Sequence, residues 1–156
     1  MRRRILTVAV TMTLLLAGCA GTGTTLSIPG VGGKPSDEQR IAAILNDVHK
    51  GMEGKKVFKV LAHVSRAYQD MEGRDYDGVR EYLASLMRGY RSIRITRTPP
   101  KILVQGDRAR AVETFGTIAE PFEVQENPPI NLQGTVLVYL QREAEGWKIV
   151  EWGALR

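Results

Sequence analysis

From Ser36 onward the hydrophobic positions first repeat at helical spacing and then at the spacing of strands, and that order sets the fold class. Ile41, Ile44, Leu45 and Val48 form one apolar stripe. Ahead of it Ser36, with Gln39 three residues later, makes a capping box, and Asp37 and Glu38 sit in the first turn at the positive end of the helix dipole. Gly51 and Gly54 mark the predicted end of this helix. A second helix is predicted from about Lys55 to Met71 on the stripe Val57, Leu61, Val64, Tyr68 and Met71, and Gly73 breaks it. A third runs from about Tyr76 to Gly89, capped by Asp75, with Val79, Leu83, Leu86 and Met87 facing inward.

Period two then takes over. Ile93 and Ile95 alternate with Arg94 and Thr96 in a first strand, from Ser92 to Thr96, and Pro99 and Pro100 follow it because neither can donate to a ladder. Ile102 and Val104 lie on a second strand, which turns at Gly106 and Asp107 into a third, Arg108 to Phe115. There Ala109 and Ala111 share a face while Val112 and Phe115 break strict alternation, which predicts a β-bulge near Val112. Pro121 to Asn131 reads as a loop. Thr135 to Gln141 is apolar on both sides, as a central strand requires, and Glu143 to Gly146 turns it into the last strand, Trp147 to Trp152. Five residues apart, the tryptophans fall on opposite faces of an ideal strand, Trp147 with Ile149 and Trp152 with Val150. Three helices followed by an antiparallel meander predict an α+β domain, helices packed on one face of a curved sheet.

Upstream, Arg2, Arg3 and Arg4 precede an apolar run from Ile5 to about Leu16. It is too short to cross a bilayer as a helix and has the length of a signal h-region. The run closes in Leu16, Ala17, Gly18 and Cys19, which resembles the lipobox of bacterial lipoproteins. The resemblance implies cleavage before Cys19, lipidation of its thiol and anchoring to a membrane of the cell envelope. Ala20 after the cysteine favours the outer membrane, facing the periplasm, in a two-membrane bacterium. The Gly-, Thr-, Ser- and Pro-rich stretch that follows reads as a tether. The expected organisation is a signal peptide over 1–18, lipidated cysteine and tether over 19–35, and one domain over 36–156.

Processing changes the meaning of the composition. Of 156 residues, 156 minus 18, or 138, remain; of 22 Lys and Arg, three are Arg2 to Arg4, so 19 remain against 17 Asp and Glu. The net charge falls from +5 to +2, so nucleic acid is not an expected partner. Cys19 is the only cysteine, and once acylated it leaves no thiol for a disulfide, a nucleophile or a zinc site.

The stretch DYDGVREYLASL, the strand pair closed by VQGDRARAV and the hairpin VLVYLQREAEGWKIVEWG resemble the NTF2-like, or cystatin-like cone, superfamily. The matching positions are Gly106, Asp107, Ala109, Val112 and Gly146 to Ile149, and the resemblance spans about Ser36 to Leu155. It implies a sheet wrapped around helices with a pocket at the open end, and pairing of two sheets in a homodimer. In resembling enzymes, such as ketosteroid isomerases and scytalone dehydratase, acids, tyrosines or a His–Asp pair inside the cone do the chemistry.

Candidate chemistry is sparse. Tyr68 and Asp70 in SRAYQDMEG lie in a region where resembling proteins often carry a tyrosine and an acid, and a desolvated Asp70 would act as a general base. The plainer reading makes Asp70 and Asp75 ordinary turn residues around a glycine. His63, one residue off the second stripe, is the best acid–base candidate by chemistry, whereas His49 near a helix end suits the dipole as imidazolium. No HExxH, Gly-rich phosphate loop, CxxC or nucleophile elbow occurs, and no cofactor or metal is expected. Arg88, Arg91, Arg94, Arg97, Arg108 and Arg110 form the main charge feature. If Arg94 lies near Arg108 or Arg110 across the sheet, they make a patch for anionic headgroups, an acidic glycan or an acidic partner; otherwise they decorate a solvated face beside Glu113 and Glu120. Trp152 is a further candidate contact for a ligand or partner. The leading expectation is a non-catalytic envelope lipoprotein whose domain binds a protein partner or small ligand. The alternatives are a small isomerase or dehydratase working in the cone, and a structural subunit of an envelope assembly.

Overall fold

The computed structural model describes residues 34–153. The lipobox-like junction Leu16 to Cys19, the signal peptide and the tether up to residue 33 lie outside the described residues. No helix among the described residues is long and apolar enough to cross a membrane.

Helix α1 (Asp37–Glu53) opens on the predicted capping box: Ser36 Oγ accepts from the Gln39 amide at 3.3 Å, and the Ser36 amide donates to Gln39 Oε1 at 2.9 Å. Asp37 also accepts from Arg142 and from Trp147 Nε1, at 3.0 Å, which ties the start of the helix to the last hairpin. The helix runs through Gly51 and ends at the predicted Gly54, its C-cap. Gly51 is buried where α2 (Val57–Leu61) crosses it, and a Cβ at that position would come within 2.8 Å of Val60 Cγ2.

The second helix is much shorter than its periodicity predicts. Beyond Leu61 the chain leaves helical geometry and lies along the free edge of the last strand: the Ser65 and Gln69 amides donate to the Ile149 and Val150 carbonyls, and the Ile149 amide donates to His63 O. Unpaired edge amides and carbonyls compete with helical bonding here. Ser65 Oγ, which accepts from the Ala67 amide, offers the backbone a further non-helical partner. Val64 and Tyr68 are still buried, but Met71, counted in the stripe, is 75% exposed. Helix α3 (Tyr76–Gly89) follows, with Asp75 accepting from the Gly78 amide as its cap.

The five strands are β1 (Tyr90–Arg97), β2 (Lys101–Gln105), β3 (Arg108–Pro121), β4 (Ile130–Glu143) and β5 (Gly146–Trp152). They form one antiparallel sheet ordered β1-β3-β4-β5, with β2 on β3 beyond the end of β1. Pro99 and Pro100 thus split a single flank of β3 into two short strands. Helices α1 and α3 cover the concave face, where Ile41, Leu45, Val60, Leu83, Val138, Leu140 and Ile149 make the core. The result is an α+β fold of three helices packed on a curved antiparallel sheet, an NTF2-like cone.

Three features of the sheet differ from expectation. No bulge occurs at Val112, because β3 pairs with β4 without interruption from Arg108↔Gln141 to Ala119↔Ile130. The register slips instead at Arg91 in β1 and at Val150 in β5. β3 also continues past Phe115 to Pro121, and β4 starts at Ile130, which shortens the loop between them.

Candidate active site

Strict alternation along β3 puts Ala109, Ala111, Glu113, Phe115, Thr117 and Ala119 on the concave side. The break in apolar pattern that suggested a bulge is a carboxylate standing where a core residue belongs. Glu113 is 2% exposed. A lone buried carboxylate would cost several kcal/mol, roughly, and partners gather around this one. Arg97, at the end of β1 beside the proline break, donates from Nη1 to Glu113 Oε1 at 3.1 Å and from Nη2 to Asn46 Oδ1 at 2.8 Å. His49 Nε2 lies 3.4 Å from Glu113 Oε2. Asn46, His49 and Glu53 form one flank of α1 turned toward β1, and Glu53 accepts from the Ile95 amide at 2.9 Å.

This pair is poised away from its ordinary ionisation. Burial, helped by the Arg97 charge and opposed by Glu53, pushes the His49 imidazole down to about 4, so it is neutral at physiological pH. Burial pushes the Glu113 carboxyl up, with Arg97 pulling against it. His49 Nδ1 is the one buried side-chain polar atom among the described residues that has no hydrogen-bond partner. Leaving such an atom unpaired costs about 1–3 kcal/mol. His49 is thus not the imidazolium expected at a helix end; burial inside the domain disfavours its charged form.

His49 and Glu113 line a cavity of about 370 Å³ between the helices and the sheet. Leu45, Val48 and Met52 of α1, Val79 and Leu83 of α3, and Ile95, Phe115 and Val136 of the sheet supply its apolar wall. Trp152 belongs to this wall, which corrects the expectation that it faces away from Trp147. Leu140 pairs with Ile149 and Val138 with Trp152, and cross-strand partners share a face, so the unpaired Val150 turns Trp152 back to the side of Ile149. Its ring centroid lies 5.7 Å from that of Tyr68.

Tyr68, Glu72, Arg74 and Tyr82 make a second polar region on the same cavity. Asp70 anchors it from behind: Oδ1 accepts from the Glu72 and Arg74 amides at 3.1 and 2.9 Å, and Oδ2 accepts from Arg74 Nε at 2.8 Å and from the Tyr68 hydroxyl at 3.1 Å. Burial pushes the Asp70 carboxyl up, but these donors outweigh it and hold it below the usual range. Burial raises the Tyr68 hydroxyl. Asp70 is thus an ionised carboxylate organising the turn before α3, and it is not among the residues lining the cavity.

The other candidates lie elsewhere. His63 sits outside the cavity, 3.7 Å from Asp47, with its imidazole lowered by burial against the pull of that acid. Arg94 does not approach Arg108 or Arg110. It pairs with Ile118 on β1's stretch of β3, eight to ten residues from the two arginines, roughly 26–34 Å at strand rise. All three are exposed. No three His, Cys, Asp or Glu among the described residues come together as a metal-binding group. The pair that sequence reasoning missed, His49 and Glu113, had a legible signal: an acid at an inward position of β3, and a histidine four residues after core Leu45.

No family model matches the chain, and no curated protein is similar to it in sequence. Solved structures are similar in fold. A proposed dehydratase of the NTF2-like family from Streptomyces avermitilis is 14% identical, with a TM-score of 0.63 over 75% of this chain and 93% of that one. A proposed scytalone dehydratase from Novosphingobium aromaticivorans is 16% identical, with a TM-score of 0.65 over 74% of this chain and 80% of that one. An NTF2-like superfamily protein from Salmonella enterica is 16% identical, with a TM-score of 0.65 over 75% and 88% of the two chains. Together with the cone and its lined cavity, these likenesses give the described domain the NTF2-like fold.

Proposed function

We propose that the domain is a small enzyme that moves a proton on a small organic molecule held in the cone, in an elimination of water or an isomerisation. The observation that carries this reading is the His49–Glu113 pair, buried at an apolar cavity with one imidazole nitrogen unpartnered. Neutral His49 takes the proton, Glu113 orients the ring and stabilises the imidazolium that forms, and Arg97 with Asn46 holds Glu113 in place. The dehydratase names of two structurally similar proteins agree with this chemistry. The leading expectation from sequence, binding without catalysis, shares the cavity but leaves the buried pair without a task. The structural-subunit reading asked for an exposed Trp152 or an unpaired strand edge; Trp152 is turned into the cavity and residues 63–69 cover the β5 edge, while the outer edge of β1 and β2 has no strand partner among the described residues.

The test is a neutral probe that needs only a base in an apolar site, 5-nitrobenzisoxazole, whose ring opens when one C–H proton is removed and the N–O bond breaks. The chain is expected to accelerate this opening over free imidazole, with His49→Gln losing at least about 10²-fold. Equal rates for the two proteins would reject the reading.

The domain's place is proposed from sequence. Leu16 to Cys19 supports a lipid-anchored protein of the cell envelope. Labelling of the wild-type chain by a palmitate analogue in a bacterial host, and its loss in Cys19→Ser, is the expected result.

A further inference from the structure

We infer that one end of the domain, where the start of α2 and the loop between β3 and β4 come close, is a docking face for an anionic lipid bilayer. This face rests on the reading of Cys19 as a lipid anchor, and it adds the side of the domain that meets the membrane.

Large apolar side chains and cations stand together at this end. Phe58 of α2 is 81% exposed, and Phe122 and Val124, just past the end of β3, are more than half exposed. Exposed apolar groups rimmed by charge mark a surface made to be covered. Lys55 ties the loop to the helices: its Nζ donates to Tyr90 O at 2.8 Å and lies 4.8 Å from the centre of the Phe122 ring, which Arg91 approaches at 6.0 Å. The Phe122 amide donates to Gly89 O, which fixes the loop to the end of α3. Lys55 keeps this place at φ 53°, the one positive φ outside glycine among the described residues. Backbone strain of that kind persists where surrounding contacts over-determine it.

Charge selects the partner. Segments 47–59, 88–91 and 122–126 hold six Lys and Arg against four Asp and Glu, so their net +2 equals that of the whole processed chain. Lys56 and Arg91 are exposed beside the phenyl rings, a pairing in which cations meet anionic headgroups while the rings enter the boundary with the acyl chains. The anchor reaches this far. Helix α1, with 17 residues, carries the chain roughly 25 Å from its start to this end. From Cys19 to Ser36 there are 36 minus 19, or 17, residues, which span at most roughly 60 Å.

Phe58→Cys, Phe122→Cys and Glu145→Cys chains, each purified from bacterial membranes and labelled with bimane, place a probe on this face or at the opposite end of α1. Glu145 lies there, in the turn of the β4–β5 hairpin whose Arg142 and Trp147 hold Asp37. With Cys19 acylated, the new cysteine is the one thiol in each chain. Quenching by aqueous acrylamide at positions 58 and 122 is expected to be at least about threefold weaker in phosphatidylglycerol vesicles than in phosphatidylcholine vesicles, and equal in both lipids at 145. Adding Lys56→Glu and Arg91→Glu is expected to remove the difference. Two labels per chain would reject the anchor, and the face with it. One label per chain with lipid-independent quenching at 58 and 122, or protection of position 145 instead, would reject the docking face alone.

Discussion

Asp70 and Glu113 are both carboxylates buried beside an arginine, yet their surroundings drive them in opposite directions. Asp70 receives two backbone amides, a guanidinium and a phenol, and its carboxyl is lowered. Glu113 receives one guanidinium contact and a neutral imidazole, and its carboxyl is raised. What separates the two is the number of donors supplied. A fully satisfied carboxylate is structural, whereas a partly satisfied one beside a base remains available for proton transfer.

Substitutions sharpen this contrast. The largest effect is expected for Glu113→Gln on the opening of 5-nitrobenzisoxazole, a loss of about 10²-fold or more, with stability held within about 1 kcal/mol because an unfavourable buried charge is removed along with a favourable contact. Asp70→Asn reverses the pattern. It is expected to cost about 2–4 kcal/mol in urea unfolding, since Arg74, the Glu72 amide and Tyr68 lose a charged partner, while the intrinsic proton-transfer rate of the folded protein changes little. Activity that fell more in Asp70→Asn than in Glu113→Gln would invert the assignment of the two regions.

Acid separates them further. The folded pKa of His49 is depressed from 6.5 to about 4, so the unfolded chain takes up this proton first as pH falls. Its contribution is fully present above pH 6.5 and is lost between there and about pH 4, roughly 3 kcal/mol in all. Glu113, raised in the folded state, acts in the opposite sense: the native chain takes its proton first, and stability is regained as pH falls through the folded value toward 4.5. Denaturation midpoints measured across this range are expected to flatten in His49→Gln and to steepen in Glu113→Gln. Asp70, lowered in the native state, loses its contribution only as pH falls below its ordinary 3.8.

The smallest effect belongs to Met71→Lys, expected to change stability by less than about 0.5 kcal/mol because the side chain is 75% exposed. That result bears on how much of the molecule its sequence reveals. The first helix, its capping box, the third helix with its Asp75 cap and the proline break between β1 and β2 were legible because local chemistry decides each of them. Residues 62–71 carry a helical pattern, but the free edge of β5 offers their backbone other partners, and no local signal encodes that edge. Val150 is similar. Its bulge turns Trp152 through one face, a one-residue slip that alternation counted from Trp147 cannot foresee. Glu113 was misread because a charged residue at an inward position looks like an error of register when apolar residues alone are counted. The His49–Glu113 pair also depends on a meeting of α1 with β3, separated by more than sixty residues, which periodicity does not report.

The central claim is that His49 is a neutral, desolvated base held against Glu113. Its titration by imidazole NMR tests this directly, with His63→Asn assigning the signals. The account predicts that His49 stays neutral from pH 8 down past pH 5 and titrates at about 4. Titration at or above 6.5 would show an ordinary, solvated imidazole and contradict it.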